Sequence, residues 1–118
     1  MMYETSCGAV VYTIENGSIK YIIIKSKDGI YGLPKGHLEA NETTYECALR
    51  EICEETSLSV DLINGFCVED EYVFQREEAT VSKRVIYYLA QYYNQNFSPD
   101  NKEVLQIFSI DYATALSL

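Results

Sequence analysis

The stretch GHLEANETTYECALREICEETSL, from Gly36 to Leu58, decides the fold and the chemistry expected of this chain. It contains six glutamates, beside one arginine and the only histidine of the sequence. So many like charges on a short segment repel one another and lower stability unless a positive charge lies among them. What neutralises this segment is therefore the first question that the sequence raises.

Three of the glutamates are predicted to share one helix face. Glu51, Glu54 and Glu55 have the spacing i, i+3 and i+4, which brings their side chains together. A solvated acidic face is the ordinary explanation, because the repulsion costs only about 0.2–0.5 kcal/mol per pair on an open surface. A hard divalent cation would instead turn the repulsion into attraction, since Mg²⁺, Mn²⁺ and Ca²⁺ prefer oxygen ligands. An acidic protein can then bind a phosphorylated substrate through the metal.

A helix is expected around these glutamates. Thr43 is the predicted N-cap, with Glu46 three residues later as in a capping box. The helix is expected to end near Thr56 and Ser57. Apolar side chains at helical spacing form the stripe expected to face the core: Tyr45, Ala48, Leu49 and Ile52.

The rest of the chain is predicted to be mostly β-strand. Two β-rich runs, CGAVVYTI and IKYIIIKS, flank Asn16-Gly17, which favours a hairpin because both residues tolerate positive φ. The Gly-rich segment 27–36 is predicted to be a loop. Later strands are expected at 58–69, 71–75, 83–93 and 103–110, before a short helix in 111–118. This order predicts a mixed sheet packed between helices, in one α/β domain covering residues 1–118, with a C-terminal helix that we expect to be cut short.

Composition limits the class of protein. A length of 118 residues suits a single domain, and a formal net charge of −9 argues against binding long nucleic acid or an anionic membrane. No apolar run approaches the ~20 residues that span a bilayer, and the N-terminus does not have the pattern of a signal peptide. We expect a cytoplasmic protein with reduced, mostly buried thiols, because no CxxC pair occurs. The cysteines are Cys7, Cys47, Cys53 and Cys67.

The register of the acidic stretch resembles the Nudix box, Gx5Ex7REUxEExGU, in which U is apolar. Gly36, Glu42 and the run from Arg50 to Leu58 fit every defined position except one, where Ser57 replaces a glycine. That glycine ends the helix in a left-handed conformation. Ser57 is therefore expected to cost about 1 kcal/mol or to shift the helix end, without removing a metal ligand.

The resemblance implies the Nudix fold, an α/β/α sandwich in which the box forms a loop, a helix and a loop. It implies hydrolysis of a nucleoside diphosphate linked to another group, with Mg²⁺ as the cofactor and Mn²⁺ as a substitute. Glu54 and Glu55 would be the principal metal ligands. Glu51 would be either a third ligand or the base that activates water.

Other box residues would support these carboxylates. By the same resemblance, Arg50 would orient them and Glu42 would brace the loop by pairing with a basic side chain. The backbone carbonyl of Lys35 would join the metal shell. A further carboxylate is expected before the last strand, and Glu103 is the candidate, although Asn101 could occupy the matching place.

The segments around the box resemble the asymmetrical diadenosine tetraphosphate hydrolases. The similarity lies in PKGH, followed by an apolar residue and Glu, and in KRVIYYLAQ further along. It implies basic side chains on the polyphosphate and one tyrosine stacked on adenine, since alternation lets only one of two adjacent tyrosines face the site. A structural role for the histidine and a core role for either tyrosine stay open. The implied substrate-binding residues are Lys35, His37, Lys83, Tyr87 and Tyr88.

The leading hypothesis is a hydrolase that cleaves dinucleoside polyphosphates, for example diadenosine tetraphosphate to ATP and AMP. The box would look the same in an enzyme for a nucleoside triphosphate, an RNA 5′ end or a sugar nucleotide. A nucleotide sensor without turnover is a third alternative, which the presence of all three glutamates disfavours. No membrane or long nucleic acid partner is expected, and the sequence leaves the oligomeric state open.

Overall fold

A computed structural model describes every residue from Met1 to Leu118, and it contains seven strands and two helices. Their bounds, in chain order, are β1 Met2–Glu15, β2 Ser18–Ser26, β3 Tyr31–Gly32, β4 Lys35–His37, α1 Thr44–Thr56, β5 Asp61–Arg76, β6 Ala79–Gln91, β7 Val104–Ile110 and α2 Tyr112–Leu116.

The seven strands form one mixed sheet, as predicted. Its main path runs β3-β2-β1-β6-β5, while β4 pairs with β1 and β7 with β2. β1 and β6 are parallel over residues 2–12 of β1, and the other pairs are antiparallel. Because β6 takes one edge of β1, the other edge is shared by β4, at residues 6–8, and β2, at residues 12–15. Sharing this edge brings β4, which carries the start of the acidic stretch, onto the central strand.

The two helices lie on opposite faces of the sheet, which confirms the predicted α/β/α layering. Ile52 of α1 belongs to the same buried cluster as Val11 and Ile22. Tyr21 precedes Ile22 in β2 and so points to the other face. There its ring lies 6.1 Å from that of Tyr112 in α2. Neither helix has the length and apolar character needed to cross a membrane.

The ends of α1 follow the sequence prediction closely. The Glu46 N–H donates to the Thr43 hydroxyl at 3.0 Å, and the Thr43 N–H donates to the Glu46 carboxylate at 2.9 Å, which is the capping box. Ser57 caps the other end with a left-handed φ of 66°, and its N–H donates to the Cys53 carbonyl at 2.9 Å. Ser57 thus adopts the conformation expected of the glycine in the pattern, and the helix end does not shift.

The buried face of α1 differs from the predicted stripe at one end. Tyr45 is 46% exposed and meets the Tyr88 ring edge-on at 6.0 Å between centroids. Its place in the core is taken by Cys47 and, further along, by Thr56, both fully buried. The Tyr45 ring instead lines a shallow pocket beside the irregular part of β5.

Two strand predictions need correction. The segment predicted as a loop, 27–36, contains β3 and the first residues of β4. The strands predicted at 58–69 and 71–75 are one strand, β5, which pairs with β6 to its end.

β5 continues through its acidic residues because β6 supplies partners for them. Glu69 forms an ion pair with Arg84 across the two strands. The register shifts between Leu62 and Cys67, where Gly65 has a φ of 89°, so a bulge absorbs the irregular residues without ending the strand.

The tight turn between β1 and β2 is present, and the four cysteines differ in burial. Asn16 and Gly17 have φ values of 50° and 78°, as a tight turn between β1 and β2 requires, which confirms the hairpin. All four cysteines are free, but only two are buried. The expectation of mostly buried thiols therefore holds for Cys7 and Cys47 and is wrong for the exposed pair.

Candidate active site

A cavity of about 570 Å³ opens where α1 meets β4 and the loop that precedes β7. Six carboxylates line it, against two permanently cationic side chains, so its charge is strongly negative. Its lining residues are Gly36, His37, Glu39, Arg50, Glu51, Glu54, Glu55, Asp100, Lys102 and Glu103. The fold thus brings the three glutamates of the helix face together with the loop before β7.

Arg50 organises the box side chains. It donates to both oxygens of Glu42, from Nε at 2.7 Å and Nη2 at 3.0 Å. Its Nη1 donates to Glu51 at 2.7 Å and to Glu54 at 3.2 Å, and Nη2 also donates to the His37 carbonyl at 3.0 Å. The two-point contact with the guanidinium lowers the pKa of Glu42 to about 2. Glu42 therefore fixes the arginine, which in turn holds two glutamates and the end of β4.

Glu55 is the buried carboxylate of the group. It is 6% exposed, and it accepts a hydrogen bond from the backbone N–H of Lys35 at 3.0 Å. Burial raises the pKa of Glu55 to about 8, and the charge of nearby Glu51 acts in the same direction. The Lys35 N–H opposes this only in part. A cation nearby would favour the ionised form of Glu55.

Glu51 lies directly against the backbone of Gly36. A Cβ atom placed on Gly36 would lie 2.0 Å from the Glu51 Cδ, so any larger residue there would displace the Glu51 carboxylate. Burial raises the pKa of Glu51, although the Arg50 guanidinium opposes the rise. Glu54 differs from both neighbours because its side chain is 56% exposed.

The chemistry of these donors suits a hard divalent cation, since every one is a carboxylate oxygen. No three of the acidic or His/Cys side chains converge in a way that could hold an ion as they stand. Arg50 is the physical reason, because it holds the carboxylates of Glu51 and Glu54. Binding a cation between Glu54 and Glu55 therefore requires the Glu54 carboxylate to turn from the guanidinium. Mg²⁺ needs few protein ligands, because waters and phosphate oxygens complete its shell.

The loop before β7 adds two carboxylates that differ in role. Glu103 lines the cavity, whereas Asn101 does not. Asp100 was not anticipated from the sequence. One of its oxygens accepts hydrogen bonds from the backbone N–H groups of Lys102, Glu103 and Val104, at 2.9, 3.2 and 3.0 Å. The only sequence signal for these contacts is an Asp at the start of a turn, which does not show that its side chain would line the cavity.

A second cavity, of about 270 Å³, adjoins the first and shares Gly36, His37, Glu55 and Glu103 with it. Its other lining residues include three lysines and a tyrosine: Lys27, Lys35, Lys83 and Tyr72. An acidic cavity therefore opens into a region with several cations.

Lys83 is the most enclosed of these lysines, at 8% exposure. Burial lowers the pKa of Lys83, and the Glu4 carboxylate, 3.7 Å from its Nζ, opposes the change. The ammonium group is thus held at the wall of the cavity by a paired charge.

The two tyrosines predicted for base stacking line neither cavity. The Tyr88 hydroxyl shares a hydrogen bond of 2.6 Å with the Thr44 hydroxyl, on the face covered by α1. Tyr87 is half-buried and lies on the opposite face, the face of Lys83. The tyrosine that lines the second cavity is Tyr72, which pairs with Lys83 across β5 and β6 and is 46% exposed. It was missed because the pairing of β5 with β6 was not predicted as one continuous hairpin.

Comparison with known proteins agrees with this geometry. The family model described as the NUDIX domain matches residues 4–117. The chain is 32% identical over 102 residues to the bis(5′-nucleosyl)-tetraphosphatase [asymmetrical] of Mus musculus, covering 77% of this chain and 67% of that protein. It is 31% identical over 97 residues to the protein of the same name from Sus scrofa, covering 73% and 63%. The chain thus spans about two thirds of the length of these curated relatives.

Solved structures share the fold at low sequence identity. A C. elegans Ap4A hydrolase binary complex superposes with a TM-score of 0.81 at 18% identity, covering 97% of this chain and 84% of that chain. The NUDIX domain of Shewanella oneidensis NrtR, complexed with ADP ribose, gives a TM-score of 0.73 at 16% identity, covering 100% and 79%. The family model matches nearly the whole sequence, and the residues of the box line the cavity described above. This chain therefore belongs to the NUDIX domain family of hydrolases.

Proposed function

We propose that this chain is a divalent-metal-dependent hydrolase of dinucleoside polyphosphates, which cleaves diadenosine tetraphosphate to ATP and AMP. The observation that carries the proposal is the pair of adjoining cavities, one lined mainly by carboxylates and the other by three lysines and a tyrosine beside three carboxylates. A polyphosphate that ends in a nucleoside would fit these cavities, because its phosphates can contact the cations and its base can stack on the tyrosine ring. The printed names of the mouse and pig relatives support the same substrate class.

In this proposal the acidic cavity carries the chemistry. Glu54 and Glu55 would hold Mg²⁺, or Mn²⁺ in its place, with the Lys35 carbonyl and Glu103 as further oxygen donors. The metal, when bound, polarises the phosphoryl oxygens of the substrate and offsets their charge. Glu51 accepts the proton of the attacking water, and Arg50 keeps its carboxylate in place. Water forms a new bond to phosphorus, the bridging P–O bond breaks, and ATP and AMP leave.

The second cavity, with its three lysines, binds the remaining phosphates and a nucleoside. Lys35, His37 and Lys83 contact phosphate oxygens as cations or hydrogen-bond donors. Tyr72 supplies the exposed ring for stacking on adenine, because Tyr87 and Tyr88 line neither cavity. Stacking of this kind contributes about 1–3 kcal/mol per base.

Product analysis tests the proposal. Diadenosine tetraphosphate, GTP, a sugar nucleotide and a 5′-triphosphorylated oligonucleotide would each be incubated with Mg²⁺ and, separately, with a chelator. We expect metal-dependent formation of ATP plus AMP from the dinucleotide, faster than any other reaction. Faster cleavage of another substrate would reassign the specificity and keep the site. Tight nucleotide binding without turnover would instead identify a sensor.

A charge-removing variant tests the acidic cavity. Glu54→Gln is expected to lower kcat about a hundredfold or more, equivalent to about 2.7 kcal/mol of transition-state stabilisation, because it removes a metal ligand. Glu78→Gln makes the same change at an exposed residue of the turn between β5 and β6, and should leave kcat unchanged. Nearly equal activities in the two variants would contradict the site assignment.

We also propose that residues 1–118 act as a single domain in the cytoplasm. Four free thiols, two of them buried, support a reducing compartment. Activity of the purified 118-residue chain would test the first statement, and loss of activity on oxidation of its thiols would support the second.

A further inference from the structure

The segment between β6 and β7 contains no helix or strand, yet it is fixed to the residues that end α1. The side-chain amide of Gln95 donates to the Ser59 carbonyl at 2.7 Å and accepts from the Ser59 N–H at 2.9 Å. The backbone N–H of Ser98 donates to the Thr56 carbonyl at 2.9 Å. These contacts join the loop before β7 to the end of the glutamate helix.

Ser57 adds a contact that the glycine of the family pattern could not make. Its hydroxyl donates to the Ser98 carbonyl at 3.2 Å. The left-handed φ of 66° at this position is unfavourable for serine and free for glycine. The chain therefore accepts backbone strain at the one box position that departs from the pattern, and it obtains a tether to the loop there.

Two residues beyond this tether, Asp100 fixes the rest of the loop. Its carboxylate accepts the N–H groups of residues 102, 103 and 104. Although burial opposes it, these hydrogen bonds hold the pKa of Asp100 below its ordinary value, so the side chain accepts as an anion. The Glu103 carbonyl in turn accepts from the Lys27 N–H at 2.9 Å, while its side chain lines both cavities. These contacts fix the backbone of Glu103, and with it the point from which its side chain extends to line both cavities.

We propose that Ser57 and Asp100 are positioning residues that hold Glu103 at the junction of the two cavities, ready to contribute to the metal site. The inference rests on the proposed function for the role of Glu103. In this inference, Ser57 connects the end of α1, just beyond Glu55, to the loop that carries Glu103.

The test uses Mn²⁺ affinity, measured by titration without substrate, together with kcat and KM. Asp100→Ala is expected to weaken Mn²⁺ binding about tenfold, as loss of a group that orients a metal ligand does. Asp100→Asn removes the same charge but keeps an oxygen acceptor, so it should stay near the wild-type affinity. Ser57→Ala and Ser57→Gly should both weaken binding by about threefold, because either loses the hydroxyl. Equal losses in the Ala and Asn variants of Asp100 would show a charge effect and overturn the proposal.

The decisive comparison repeats these changes in a Glu103→Gln background. If Ser57 and Asp100 act through Glu103, their effects on Mn²⁺ affinity disappear there. Effects that persist undiminished, or a Glu103→Gln variant with wild-type affinity, would overturn the inference. A wild-type protein that binds Mn²⁺ with this pattern but does not cleave the dinucleotide would refute the proposed substrate alone. A wild-type protein that binds no Mn²⁺ would refute both.

Discussion

Replacing Gly36 with alanine is expected to displace the Glu51 carboxylate and to reduce turnover sharply. An ideal Cβ on Gly36 lies 2.0 Å from the Glu51 Cδ and 2.0 Å from one of its oxygens. Because carbon atoms in contact lie about 3.5 Å apart, the carboxylate must move by about 1.5 Å. A misplacement of about 1 Å in a catalytic group costs about a hundredfold in rate, so we expect at least that loss in kcat.

The assay is steady-state hydrolysis of diadenosine tetraphosphate with saturating Mg²⁺, combined with thermal unfolding. Overpacking of this kind costs about 1–3 kcal/mol, so a lower Tm is expected while the fold persists. Gly32→Ala is the matched control, because nothing lies within 4 Å of its added Cβ. Neither glycine has a positive φ, so neither substitution forces backbone strain.

Two results would refute this reasoning. Wild-type kcat in Gly36→Ala would mean that the position of Glu51 is not critical for turnover. Equal losses in the Gly36 and Gly32 variants would mean that the effect arises from something other than the contact with the carboxylate.

Three further predictions concern single side chains. Because burial raises the pKa of Glu55 from 4.5 to about 8, protonation favours the folded state, and metal-free protein should lose stability as the pH rises through this window. The Tm of the wild type minus that of Glu55→Gln should therefore decrease as the pH rises from about 5 to about 8, the range over which the pKa is shifted. A difference in Tm that stays constant over this range would contradict the assignment. If Lys83 contacts phosphate as proposed, Lys83→Met should raise KM for the dinucleotide about tenfold with little change in kcat, since the contact would be lost from the ground and transition states alike; a fall in kcat alone would count against that role. A thiol reagent should modify Cys53 and Cys67 in the folded protein and reach the other two thiols only after unfolding, as mass spectrometry of the labelled protein can show.

The parts of the fold that the sequence predicted are those set by neighbouring residues. The capping box of Thr43 and Glu46 and the turn at Asn16-Gly17 depend on short-range hydrogen bonds and backbone preferences, so their signals are local. The i, i+3, i+4 spacing of the glutamates likewise survives intact in the structure, where all three line one cavity. Local chemistry and helical geometry were sufficient for these features.

What was missed depends on contacts between distant segments. Tyr72 reaches the second cavity only because β5 continues past its bulge and pairs it with Lys83. Tyr45 leaves the predicted core stripe and lies against the Tyr88 ring and beside the bulge of β5, which are both distant in sequence. Asp100 accepts hydrogen bonds from three backbone N–H groups. Because nearly every residue has a backbone N–H, such contacts leave no pattern in the sequence.

The parallel pairing of β1 with β6 has a consequence for how this protein is made. The Tyr12 hydroxyl donates to the Gln91 side chain across 79 residues of sequence. During synthesis, β1 therefore cannot pair with β6 until most of the chain has been made. At a synthesis rate of about 5–20 residues per second, that interval lasts about 4 to 16 seconds. During it the N–H and C=O groups along one edge of β1 are unpaired and available to other chains. Slower translation should therefore lower the yield of folded enzyme, and a chaperone that covers β1 on the ribosome should restore it.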